Sequence, residues 1–162
     1  VCQHPPVFTQ GLAGKADRVL VDAPCSGLGT LRRNPDVKWR QSAEGVVELN
    51  AKQSAILASA ARLVKPGGRL VYATCSLLRE ENEAIVEQFL AANDAFTLVP
   101  ANAVLAEQKL SLDTGDYLKL LPHRHQTDGF FAAVLERKKS SATAVDKPDA
   151  KTGADTSKEA SE

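Results

Sequence analysis

Apolar and polar positions follow two rhythms along this chain. Val19-Leu20-Val21 and Leu70-Val71-Tyr72-Ala73 are short unbroken apolar runs, the pattern of strands covered on both faces of a sheet. The first predicts a strand over residues 18–22. Between the two runs, Leu49, Gln53, Ile56, Leu57, Ala60, Leu63 and Val64 recur at the i, i+3, i+4, i+7 spacing of one helix face. That spacing predicts a helix over residues 42–64, broken near Gly45 and stopped by Pro66-Gly67-Gly68. A second helix is expected over residues 80–93, with Ala84, Ile85, Phe89 and Leu90 facing inward. Residues 96–99 and 130–135 are further strand candidates, and periodicity assigns nothing between them.

Strand, helix, strand, helix, strand is the order of an α/β protein with a parallel, doubly wound sheet. A right-handed crossover sets consecutive parallel strands side by side or nearly so. Asp22 and Cys25 follow one strand while Thr74 and Cys75 end the other, so both groups open on the same sheet edge. With strands ~4.8 Å apart, the two thiols come within about 10 Å of each other. Open α/β sheets bind their ligands at that edge.

Composition narrows the function less than the pattern does. The 162 residues hold 20 Lys and Arg against 20 Asp and Glu, so the whole chain exerts no net pull on nucleic acid, and only local clusters can. The three cysteines, Cys2, Cys25 and Cys75, are odd in number and lack CxxC spacing, which favours free thiols in the cytoplasm over a disulfide framework. No apolar run approaches the ~18–20 residues that cross a bilayer, so no membrane partner is expected. From Lys138 onward large apolar side chains are scarce, and residues 138–162 are expected to form a disordered tail behind a folded part over 1–137. The chain starts at Val1 and contains no methionine, which points to a processed product or a piece of a longer chain.

Several familiar sites are absent. His123-x-His125 lacks a second ligand pair, so no metal is expected. "GLAGKA" has the wrong glycine spacing for a phosphate loop, and Ala16 stands where Ser or Thr is needed. Neither a nucleophile elbow nor a glycine-rich dinucleotide fingerprint is present.

The remaining candidates each have an ordinary explanation. A lone buried cysteine is usually a small hydrophobe, Asp22 can cap a turn, and the cations of residues 32–40 can be a solvated loop. Two cysteines at equivalent strand ends, each followed by serine, weigh against the first explanation. Trp39, flanked by Lys38 and Arg40, weighs against the last, because an aromatic can stack on a base while cations hold phosphates.

"DAPCSGLGTLRRNPDVKW", "LVKPGGRLVYATCSLLREENE" and "LPHRHQTDGFFAAVLER" together resemble the RNA (cytosine-5-) methyltransferases, the family of bacterial ribosomal RNA methyltransferase B and the NOP2/Sun proteins. The likeness runs from about Val19 to Arg137. Cytosine-5 DNA methyltransferases also use a Pro-Cys thiol but lack the Thr-Cys strand end. The resemblance implies the C-terminal half of a Rossmann-like S-adenosylmethionine-dependent methyltransferase fold. It assigns Cys75 as the attacking thiol and Cys25 as the thiol that assists release. It sets Asp22 beside S-adenosylmethionine and the target base. Arg33, Lys38 and Trp39 are the expected RNA contacts.

Chemistry agrees with two thiols. C5 of cytosine is a poor nucleophile until a thiolate adds at C6, and the adduct then needs an acid/base group for its release. The family's glycine-rich cofactor loop and ribose-gripping acid are not found in this sequence, so the chain alone is expected to be inactive. The expected substrate is small-subunit 16S ribosomal RNA. The alternatives are transfer RNA as substrate and a non-catalytic RNA-binding module.

Overall fold

The computed structural model of the chain describes residues 11–139. Cys2 and all but the first two residues of the expected tail lie outside the described residues.

Strands β1 (Ala16–Asp22), β2 (Val64–Thr74), β3 (Phe96–Val99), β4 (Leu118–Leu120) and β5 (Phe130–Arg137) make one sheet. Its order is β1-β2-β5-β3, with β4 also on β5. β1 and β2 are parallel, pairing Val19 with Leu70 and Asp22 with Ala73. β5 runs antiparallel to β2, β3 and β4, so β1, β2 and β3 share one direction, as the strand–helix alternation implies. The reversal of β5 has a local cause. Leu120 pairs with Phe130, so β4 and β5 are joined by a short connection, which antiparallel strands tolerate and parallel strands do not.

The helices are α1 (Val37–Arg40), α2 (Ala43–Ala61), α3 (Glu83–Ala92), α4 (Ala101–Glu107) and α5 (Pro122–His125). Gly45 does not break α2. Its N–H donates to the Ser42 hydroxyl at 3.1 Å, so the polar stretch there is an N-cap. α2 also stops earlier than the periodicity predicts. Leu63 N–H bonds to the Ala60 carbonyl, and Pro66-Gly67-Gly68 falls inside β2, where the register slips between Ala16 and Arg18. Gly67 takes φ 75° there, a conformation that favours glycine.

Leu57 and Ala61 of α2 and Ile85, Val86 and Phe89 of α3 pack on Leu70, Tyr72, Phe131, Ala133 and Leu135 of the sheet. The expected inward face of α2 holds at Gln53 and Leu57, but Ile56 lies at its margin, exposed. The expectation that residues 18–22 are covered on both faces is corrected. Val21 enters the core while Leu20 is 69% exposed, because β1 is an edge strand and its second face has no cover among the described residues.

Candidate active site

β1 and β2 end side by side. Ala23 N–H bonds to the Ala73 carbonyl at 2.9 Å, continuing the pairing one residue past β1. The chain beyond β1 then turns over the end of β2, where Gly29 N–H donates to the Cys75 carbonyl at 2.8 Å. Gly29 permits this approach, since a Cβ there would lie 2.6 Å from the Cys75 carbonyl oxygen and closer still to that of Gly129. Gly129 N–H returns a bond to the Gly29 carbonyl at 2.8 Å. Three segments therefore close on one spot.

At that spot the two thiols meet. Cys25 Sγ and Cys75 Sγ lie 3.4 Å apart, and either can donate to the other. Both are half-buried and free. Burial, and then the neighbouring Cys75, push the Cys25 thiol well above the usual thiol range, because a thiolate there would lose solvation beside a second sulfur. Cys25 therefore keeps its proton at neutral pH.

Beneath the thiols lies a polar cluster centred on Glu81, whose side chain is fully buried. Its Oε1 accepts from Ser26 N–H at 2.8 Å and from Gln53 Nε2 at 3.1 Å. Its Oε2 accepts from the Ser26 hydroxyl at 2.5 Å and from the Ser76 hydroxyl. Gln53 also donates to the Pro24 carbonyl at 2.9 Å, and the Tyr72 hydroxyl donates to the Glu81 carbonyl at 2.7 Å. Burial, then the Glu81 and Cys25 charges, hold the Tyr72 phenol far above its usual range. Thr74 and Asn82 add a second layer: Thr74 Oγ1 donates to Asn82 Oδ1, and Asn82 Nδ2 donates to the Ser76 carbonyl. Each buried carboxylate oxygen thus has two donors, the condition for keeping such a group inside a protein.

Asp22 ends β1 with its side chain exposed, three residues before Cys25 and paired across the sheet with Ala73. No hydrogen-bond donor among the described residues engages its carboxylate. The expected RNA contacts lie farther along the same loop. Trp39 is 80% exposed, and Lys38 Nζ stands 4.6 Å from the centre of its ring. Arg33 is not a free cation, since its Nε donates to Asp128 Oδ2 at 2.6 Å, tying the loop to the segment before β5. His125 Nδ1 accepts from Leu121 N–H at 2.9 Å, a local bond that fixes α5. Among the described residues no group of three or more His, Cys, Asp or Glu is arranged to hold a metal ion, and no helix is long and apolar enough to cross a membrane.

Sequence reasoning singled out the thiols and Asp22 but missed Glu81, Ser26, Ser76 and Asn82. Glu81 stands in "REEN" at the expected start of a helix, where carboxylates usually face water. The one usable signal was the serine that follows each cysteine.

The profile of the 16S rRNA methyltransferase RsmB/F family matches residues 3–136. A probable ribosomal RNA small subunit methyltransferase B from Synechocystis is 46% identical over 121 residues, covering 75% of this chain and 27% of that protein. The ribosomal RNA small subunit methyltransferase F of Aliivibrio fischeri is 40% identical over 141 residues, covering 85% of this chain and 29% of that protein. Among solved structures, NSun6 from Pyrococcus horikoshii with SFG superposes with a TM-score of 0.65 at 29% identity, over 82% of this chain and 33% of that one. The likeness assigns the sheet and its helices to the Rossmann-like methyltransferase fold. The chain spans less than a third of the curated relatives named here.

Proposed function

The chain belongs to the 16S rRNA methyltransferase RsmB/F family, and on that premise we propose that it carries the thiol pair of an enzyme that methylates C5 of a cytidine in small-subunit ribosomal RNA. The single observation that carries the reading is the 3.4 Å approach of Cys25 and Cys75. A reaction that adds a thiol to a base and must later expel it needs a nucleophile and a proton carrier at one place.

Cys75 is the nucleophile. Its sulfur gives its proton to solvent and bonds to C6 as the thiolate, and the C5=C6 electrons make C5 enamine-like and able to accept a methyl group. S-adenosylmethionine, when bound, supplies that methyl on an electrophilic sulfonium. Asp22 fits a contact to it, because its exposed carboxylate stands at the carboxyl end of a strand and no donor among the described residues engages it. The same carboxylate suits the amino group of the target cytosine.

Release then restores the ring. The C5–H electrons re-form the C5=C6 bond, and the C6–S electrons return to Cys75. Cys25, held protonated by its burial, gives its proton to the departing sulfur and takes up the C5 proton in its place. Arg33, Lys38 and Trp39 hold the RNA strand, with phosphates on the cations and a base on the indole. This activity belongs with ribosome assembly in the cytoplasm.

The test is methyl transfer by the full-length protein from labelled S-adenosylmethionine to 16S RNA, read by nucleoside mass spectrometry. Label in 5-methylcytidine, lost in Cys75→Ala, is the expected result. Label at another ring position, or full activity in Cys75→Ala, overturns the reading.

A further inference from the structure

We infer that Glu81 is a positioning residue for the thiol pair: its carboxylate clamps together the two segments that carry Cys25 and Cys75, and so sets the sulfur–sulfur spacing that release of the methylated base requires. The inference rests on the roles of the two thiols proposed above.

The clamp is visible in the bonding. Ser26 follows Cys25 and Ser76 follows Cys75, and both hydroxyls donate to the same oxygen of Glu81. The hydroxyls are themselves 3.2 Å apart. The other oxygen takes Ser26 N–H and Gln53, whose amide also holds the Pro24 carbonyl on the other side of Cys25. Cys25 is therefore pinned at both neighbours, and Cys75 at the residue after it. Among the described residues no side chain from outside the two cysteine-bearing segments, other than Glu81, bonds to both, and the direct bond between the Ser26 and Ser76 hydroxyls is formed on the oxygen they share. Glu81 itself is fixed by the Tyr72 hydroxyl on its carbonyl.

The two steps of the reaction depend on this clamp differently. Attack on C6 needs Cys75 alone. Release needs a proton to pass from Cys25 to the departing Cys75 sulfur as the C6–S bond breaks, so it needs both sulfurs at their present distance. A displacement of ~1 Å in such an arrangement can slow a step about 100-fold. A loosened clamp should therefore let the covalent adduct form and persist.

The test uses Ser76→Ala, Glu81→Gln and Glu81→Ala in the full-length protein, with labelled RNA and cofactor. Ser76→Ala removes one arm of the clamp and leaves Glu81 with its other three donors. Glu81→Gln keeps the shape, because the amide oxygen can take Ser26 N–H and Gln53 while the amide N–H groups donate to the serine hydroxyls, which rotate. Ser76→Ala and Glu81→Ala should build up a denaturation-resistant RNA adduct, with release slowed about 10- to 100-fold. Glu81→Gln should release within about threefold of the unaltered protein.

A residue that merely supports the fold would lower attack and release together, without adduct. That result in Ser76→Ala, or slow release in Glu81→Gln, overturns the clamp. Should Glu81→Ala fail to fold, Ser76→Ala decides the matter. Cys25→Ala in parallel separates the two failures. Adduct in Cys25→Ala with none in Ser76→Ala sinks the clamp alone, whereas no adduct in Cys25→Ala sinks the reading beneath it. Phenylarsine oxide gives a second measurement without RNA. Arsenic bridges two neighbouring thiols, with two As–S bonds formed and the oxygen leaving as water. Capture of Cys25 and Cys75 should be several-fold slower in Ser76→Ala than in Glu81→Gln, and equal rates overturn the clamp whatever the RNA chemistry.

Discussion

The Cys25 and Cys75 sulfurs lie 3.4 Å apart although fifty residues separate them in the chain. β1 and β2 are adjacent and parallel, so groups just past their carboxyl ends share an edge. Two thiolates at that distance would repel one another in a partly dry site, and burial already holds the proton on Cys25. On the reading proposed above the pair is asymmetric: Cys25 keeps its proton and Cys75 attacks.

That asymmetry separates the two alanine variants. Cys75→Ala should abolish both methylation and any covalent adduct with RNA. Cys25→Ala should attack and transfer methyl, then stall with the RNA attached. Denaturing gel electrophoresis with labelled RNA reads the outcome. An adduct trapped in Cys75→Ala would exchange the two roles.

The close approach of Gly29 to Cys75 makes a stability prediction. A methyl group there meets backbone carbonyls of Cys75 and Gly129 rather than a movable side chain, so the segments must separate. Gly29→Ala should destabilise the protein by about 1–3 kcal/mol. Gly11, with nothing among the described residues within 4 Å of a Cβ, is the control, and Gly11→Ala should stay within about 0.5 kcal/mol. Urea denaturation followed by circular dichroism measures both. An unchanged midpoint in Gly29→Ala would show that the segments have room to move.

These two glycines also show what the sequence could reveal. The apolar runs located β1 and β2, and the helical spacing located α2 and α3, because burial on one face imposes a period. The strands expected over 96–99 and 130–135 form β3 and β5, whereas β4 has only three residues and the reversed direction of β5 depends on a connection with no periodic signal. The thiols were legible as chemistry at strand ends. Glu81 was not, because its burial comes from donors at Ser26 and Gln53, both far away in sequence. Gly29 looked like any loop glycine until Gly129, a hundred residues on, closed over it.

Alkali should weaken the fold in a defined window. Cys25 and Tyr72 are raised from ordinary values of 9.0 and 10.0, in both cases chiefly by burial. The folded protein therefore holds protons that the unfolded chain gives up. This stabilisation is complete below the unfolded values and is lost as pH rises from there towards the folded ones. The urea midpoint should be level from pH 7 to about 8.5 and fall from about pH 9 upward. In Cys25→Ala the fall should begin nearer pH 10, where the raised phenols of Tyr72 and Tyr117 remain. Stability that rises between pH 9 and 10 would contradict the sign of both shifts.

The three residues proposed to hold RNA are not equivalent. Trp39 is 80% exposed with Lys38 beside its ring, so neither side chain supports the core. Trp39→Ala should leave thermal unfolding unchanged while weakening RNA binding by ~1–3 kcal/mol, the usual loss of a stacked base. Lys38→Ala should reduce the slope of log affinity against log salt by about one, as one phosphate contact is lost. Arg33 differs because Asp128 already holds it. If its cation also serves RNA, Asp128→Ala frees it, and affinity at low salt should hold or rise. If Arg33 only braces the loop against the segment before β5, Asp128→Ala and Arg33→Ala should weaken binding alike, through a loop that has lost its anchor. Filter binding of the full-length protein across a salt series distinguishes the two. Unchanged affinity and slope in Trp39→Ala and Lys38→Ala together would make the loop an ordinary solvated surface.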